Sequence, residues 1–166
     1  MIHESKPKYI ASAMFKDVFL SFINDMEIKK SKIPAELGIS YDIFCKIVDF
    51  GKIPRPQILV RISDKLNCSV EYLLGRTKDE TFEMATDRAS FLERLDYFEK
   101  KLHVSDYFVA RKLHVSANYI TNWRKSNYTP SFDNLVILSE VFNTSLDFLL
   151  GRTEEEAPYK IDPDWH

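Results

Sequence analysis

The chain holds only four glycines and two cysteines among 166 residues, and each scarcity removes a class of function. No Gly-rich segment is present to cradle a nucleotide phosphate, and no Gly-x-Ser-x-Gly elbow presents a nucleophile. Cys45 and Cys68 fall in the same half of the chain and read as reduced thiols of a cytoplasmic protein, not as a disulfide framework. The histidines, His3, His103, His114 and His166, are scattered, and none joins a Cys or carboxylate at ligand spacing. No metal, no cofactor and no catalytic activity is therefore expected. No apolar run is long enough to cross a bilayer and nothing resembles a signal peptide, so no membrane partner is expected either. Charge of one sign is also lacking, since the formal net charge is −2. That excludes a generally adhesive polycation but leaves room for a locally basic face. Much of the acidic surplus lies in Glu154, Glu155, Glu156, Asp162 and Asp164, near the C-terminus.

What is present is a repeat. Leu-Leu-Gly-Arg-Thr occurs at 73–77 and again at 149–153, and sliding the chain by that 76-residue offset pairs Phe15 with Phe91 and Leu37 with Leu113. It also pairs Ser40 with Ser116, Pro54 with Pro130, Leu59 with Leu135 and Asn67 with Asn143, without a gap. One fold used twice is the expectation: a first repeat at 12–77, a linker at 78–89, a second repeat at 90–153 and an acidic tail at 154–166. A domain that small buries only about 60% of its unfolded surface, so the copies are expected to pack on each other or on a partner. Phe82 and Met84 in the linker have the character to dock. Tyr159, Ile161 and Trp165 leave two readings of the tail open, packed against a repeat or a second subunit, or solvated.

The second repeat is the clearer copy. Ser90-x-x-Glu93 is a capping box, and Phe91, Leu95, Phe98 and Leu102 follow at helical spacing. Ser105, Ser116, Ser131 and Ser145 stand where N-caps of four more short helices are needed, and Gly151 supplies a left-handed stop. No strand-like alternation appears, so the fold class is all-α, two tandem five-helix domains. His114-Val115 makes a tight turn between the second and third helices of this copy, and Ala110 is small enough to let them approach closely. Val115, Ile120 and Trp123 anchor the third helix from below and leave Ala117, Asn118, Thr121 and Asn122 on its outer face. A helix presented in this way fits a DNA major groove.

At these residues the chain resembles Xre/Cro-type, lambda-repressor-like helix-turn-helix domains. The resemblance covers both repeats and is carried by Leu113-His114-Val115-Ser116, Ile120-x-Asn122-Trp123-Arg124, Pro130-Ser131, Leu135-x-x-Leu138 and Asn143-x-Ser145-Leu146-Asp147-Phe148-Leu149-Leu150-Gly151. It implies a transcriptional regulator that binds double-stranded DNA, often as a dimer. Carried over by position, Ala117, Asn118, Thr121 and Asn122 are the implied base readers. Arg111, Arg124, Lys125, Asn127 and Tyr128 lie where backbone phosphates would be met. Two departures stand out. His114 takes a turn position the family usually gives to Gly, and Asp106 replaces a Gln that commonly touches phosphate.

The first repeat departs further. Pro34 matches Ala110 and is expected in the first turn of a second helix that starts near Ile33. On its third helix, Phe44 and Ile47 take the anchor positions, leaving Tyr41, Ile43, Val48 and Phe50 with no evident place in the core. Asp42 takes the slot of Asn118. Two readings follow: a degenerate copy kept for homodimerisation or for docking a partner protein, or a second reader, as Lys46, Lys52, Arg55 and Arg61 allow. The whole chain is likewise open to two readings, a sequence-specific DNA-binding regulator or a protein-interaction module on the same scaffold.

Overall fold

The structure, a computed structural model, describes residues 8–156 and 160–165. His3, Tyr159 and His166 lie outside the described residues. The described residues form ten α-helices and no strand, apart from an isolated bridge between Ala11 and Lys52. The protein is all-α.

The helices are α1 Ala13–Asp25, α2 Ile33–Leu37, α3 Tyr41–Phe50, α4 Pro56–Leu66 and α5 Val70–Leu73, then α6 Phe91–Leu102, α7 Asp106–Lys112, α8 Ala117–Ser126, α9 Phe132–Phe142 and α10 Leu146–Leu149. The bounds of α8, α9 and α10 are those of α3, α4 and α5 displaced by 76 positions. The left-handed residues keep the same offset: Gly38 and His114, Gly51 and Asn127, Asn67 and Asn143, Gly75 and Gly151. Where one member of a pair is Gly and the other His or Asn, the backbone demands positive φ and the side chain tolerates it.

Local sequence explains most helix starts. Ser90 and Glu93 complete the capping box in both directions. Ser12, Ser40, Ser69, Ser131 and Ser145 each accept a backbone N–H from the third residue onward. Ser105 and Ser116 occupy the N-cap positions of α7 and α8 but accept no such bond. Pro34 sits in the first turn of α2, after a 3₁₀ turn at Lys30–Lys32 that replaces the missing start of the helix.

One buried apolar cluster results, with a first core region among residues 12–77 and a second among residues 90–153. Phe15, Phe19, Leu37, Ile47, Leu59 and Ile62 are fully buried in the first, and Leu95, Phe98, Val109, Ile120, Leu135 and Leu138 in the second. Phe98 stacks flat on Phe142 at 4.6 Å. Leu102 leaves the expected stripe and stays 43% exposed, because α6 ends there and His103 turns left-handed at φ 54°.

A polar seam joins the two halves. Asp147 in the first turn of α10 accepts the N–H groups of Val70 (2.9 Å) and Glu71 (3.3 Å) at the start of α5. Glu71 in the first turn of α5 accepts the N–H of Leu146 (2.9 Å) at the start of α10. Each acid thus satisfies orphan donors of the other helix and meets the positive end of its dipole. Arg152, fully buried, donates to Asp147 at 2.5 Å, to Asp64 at 2.9 Å and to the carbonyl of Cys68 at 3.0 Å. Arg76 stands 3.4 Å from Glu71, and the Trp165 ring lies 5.2 Å from its guanidinium. The segment between α5 and α6 is pinned to this seam. Arg88 forks onto Asp64 with two 2.8 Å bonds, the N–H of Ala85 donates to the carbonyl of Arg152, and Phe82 faces the Arg152 guanidinium at 4.7 Å. The C-terminal segment is packed as well: the Trp165 indole N–H donates to the Leu74 carbonyl at 2.6 Å, and its ring meets Tyr9 and Phe132.

Candidate nucleic-acid interface

Two buried residues set the orientation of α8. Ile120 is fully buried and Trp123 is 3% exposed, with the Trp123 ring edge-on to Phe91 at 5.7 Å and to Tyr119 at 5.3 Å. Ala110, buried on α7, gives α8 the room to approach, and Val115 packs partly against the core at the turn between them. His114 adopts φ 56° at that turn. The strain is of order 1 kcal/mol, which His bears better than most residues.

With that face locked inward, Ala117, Asn118, Thr121 and Asn122 are all exposed on the opposite side. The Thr121 hydroxyl bonds back to the Ala117 carbonyl at 3.3 Å. The side-chain amides of Asn118 and Asn122 have no partner among the described residues. Arg111 and Lys125 are exposed beside them, and Tyr128, 46% exposed, lies 6.4 Å from the Trp123 ring. Asn127 ends α8 in the left-handed conformation. Eight of the nine residues singled out for DNA contact are exposed.

Arg124 differs from the other eight in being ion-paired within the chain. Its guanidinium is held by Asp106 (2.8 Å), Glu99 (2.9 Å) and Asp96 (2.5 Å), from α7 and α6. A cation surrounded by three carboxylates has little charge left for a phosphate, so Arg124 braces α8 against its neighbours. The same cluster accounts for Asp106, whose negative charge at the expected phosphate position is matched internally. Hydrogen bonds from Arg124 hold Asp106 below the usual carboxylate range. Burial, reinforced by the neighbouring Asp106 carboxylate, pushes Glu99 up to about 7. Asp96 and Glu99 were not recognisable as site residues, because their link to Arg124 crosses 28 and 25 positions of chain.

On α3 the four residues expected to form an apolar contact face divide. Ile43 and Val48 turn inward and pack partly against the core. Tyr41 and Phe50 stay 70% and 74% exposed, at opposite ends of the helix. Ten helical residues separate those ends by roughly 13 Å. The residues at the outer positions matching Ala117, Asn118, Thr121 and Asn122 are Tyr41, Asp42, Cys45 and Lys46, with Asp42 and Lys46 paired at 2.7 Å. Among the described residues no cluster of His, Cys, Asp and Glu is placed to hold a metal ion, and no helix is long and apolar enough to cross a membrane.

Comparison with known proteins agrees with this geometry. Residues 98–149 match the family described as helix-turn-helix, a span that runs from within α6 to the end of α10. The chain is 41% identical over 75 residues to an uncharacterized HTH-type transcriptional regulator of Haemophilus influenzae, covering 45% of this chain and 31% of that protein. It is 30% identical over 70 residues to the HTH-type transcriptional regulator ImmR of Bacillus subtilis, covering 42% of this chain and 55% of that protein. The match thus spans about a third of one relative and about half of the other. No solved structure matches the chain. A buried Ile120–Trp123 anchor thus lies beneath an exposed polar helix inside the segment, residues 98–149, that matches the helix-turn-helix family.

Proposed function

We propose that the chain is a transcriptional regulator that binds duplex DNA in a sequence-specific manner, with α8 entering the major groove. The observation that carries this is the pair of unpartnered amides, Asn118 and Asn122, on a helix whose opposite face is fixed by Ile120 and Trp123. An Asn amide pairs bidentately with adenine N6 and N7, worth about 1–3 kcal/mol of discrimination per pair. Ala117 and Thr121 offer a methyl group and a hydroxyl to neighbouring base edges. Arg111, Lys125, Asn127 and Tyr128 are placed to meet phosphates and fix register. The two relatives are named as transcriptional regulators, which supports the same reading. The recurrence of helix bounds at one offset supports the division into repeats at 12–77 and 90–153.

Selection of bound sequences from a random duplex pool tests the proposal, followed by a mobility shift with chloride titration. A defined sequence preference that Asn118→Ala with Asn122→Ala relaxes at particular base pairs is the expected result. Absence of salt-dependent binding to long mixed-sequence DNA at low salt would instead make the chain a protein-interaction module on this scaffold.

A further inference from the structure

We infer that a single chain is the complete DNA-binding unit: the α5–α10 seam is an internal two-fold contact, and it sets α3 beside α8 against one duplex. The inference rests on the reading of α8 just given. Its own support is the reciprocity of the seam. The bond from the Leu146 N–H to Glu71 becomes, when each residue is exchanged for its counterpart 76 positions away, the bond from the Val70 N–H to Asp147. Both exist. Reciprocal contact, where i meets j and j meets i, is the signature of a two-fold interface between equal partners. Each half also sets an equivalent arginine beside its own acid, Arg76 by Glu71 and Arg152 by Asp147.

The symmetry extends beyond four residues because each short helix is built onto its own half. α5 packs on α1 and α4, and α10 packs on α6 and α9. Whatever α8 presents along the axis, α3 presents in the same direction, since a two-fold rotation leaves that component unchanged. Duplex DNA has matching two-fold axes, with half-sites about 34–36 Å apart. The seam is also closed to a second copy: Glu71, Asp147 and Arg152 are 1%, 0% and 0% exposed.

The α3 half carries the charge such an approach needs. Lys46 stands at the Asn122 position, Lys52 is exposed at the Tyr128 position, and Lys30 and Lys32 are exposed where the other half has Asp106 and Phe108. Tyr41 projects at the Ala117 position. The surface pair of Lys46 with Asp42 is weakly held and exchangeable for a phosphate. α3 lacks the two amides, so its half of the DNA site is loosely specified. The bound sequence is asymmetric, with one informative half and one permissive half.

Hydroxyl-radical footprinting and sedimentation of the full chain on a selected duplex test this. The expected complex is one chain per duplex, protecting two segments about one helical turn apart. Lys46→Ala with Lys52→Ala, both at the surface, should retain helical circular dichroism. The pair should flatten the salt dependence by about two units of slope and remove protection of the permissive half, leaving base preference in the other half unchanged. A 1:1 complex protecting one segment overturns the inference and leaves the reading of α8 intact. So does a 2:1 complex with α8 in both halves, whether copies meet through Tyr41 and Phe50 or by exchanging halves. Loss of all DNA binding by the unaltered chain removes the reading of α8 and this inference with it.

Discussion

Charge placement at single residues governs both stability and recognition. Glu71 is buried on all sides, and that burial outweighs Arg76 and the Leu146 N–H to push its carboxyl up to about 7 from an ordinary 4.5. Between those values the folded chain binds a proton that the unfolded chain has released. This contribution to stability is therefore complete below about pH 4.5 and lost as pH rises through about 7. For Glu71 alone it amounts to at most about 3 kcal/mol, and Glu99 acts in the same direction. The midpoint of thermal unfolding should fall from about pH 5 to about pH 8, and Glu71→Gln, which keeps the acceptor for Leu146, should flatten that fall. An unchanged slope in the variant would remove Glu71 from the account. Arg124→Met leaves Asp96, Glu99 and Asp106 without their cation, and a loss of roughly 1–3 kcal/mol is expected. If Arg124 is a brace, the salt dependence of DNA binding stays as it was, whereas Lys125→Ala reduces that slope by about one unit. Arg124 and Asp106 stood out in sequence, but their link to Asp96 and Glu99 was not legible, because it spans 28 and 25 positions of chain.

Elements were legible where local chemistry decides them. The Ser90–Glu93 capping box, Pro34 in a first turn and the Ile120–Trp123 anchor follow from sequence because each depends on neighbours within a few residues. The outer face of α3 was legible only in part. Ile43 and Val48 find partial cover from elements distant in sequence, and helix periodicity does not reveal such cover. Gly151 was readable as a helix stop, but not as a point of close approach. A Cβ there would lie 1.9 Å from the Ala89 carbonyl oxygen, whereas at Gly38, also left-handed, it would meet only the flexible Arg61 side chain at 3.1 Å. Gly38→Ala should cost about 1–2 kcal/mol for backbone strain alone. Gly151→Ala should cost clearly more, because the 78–89 segment must shift as well. Equal losses in thermal denaturation would mean that the Ala89 contact contributes nothing.

At the scale of the whole molecule, the 76-residue offset announced two similar halves but not how they meet. Glu71 and Asp147 look in sequence like ordinary first-turn acids capping their own helices, yet each serves the other's helix. Burial that complete makes the seam a point of cooperativity. Removing one partner of a buried ion pair leaves an uncompensated charge and typically costs about 3–5 kcal/mol, so Arg152→Met should destabilise far more than Arg88→Met, whose ion pair with Asp64 is partly exposed. The two tryptophans separate local from global loss. Trp123 reports the second core and Trp165, against Leu74 and Arg76, reports the seam. With one or the other replaced by Phe, both fluorescence transitions should coincide in the otherwise unaltered chain, as two-state unfolding requires. In Arg152→Met the Trp165 transition should move to lower denaturant than that of Trp123, because the seam opens while the second core persists. Coincident transitions in that variant would mean that the seam and the second core unfold as one unit even without Arg152.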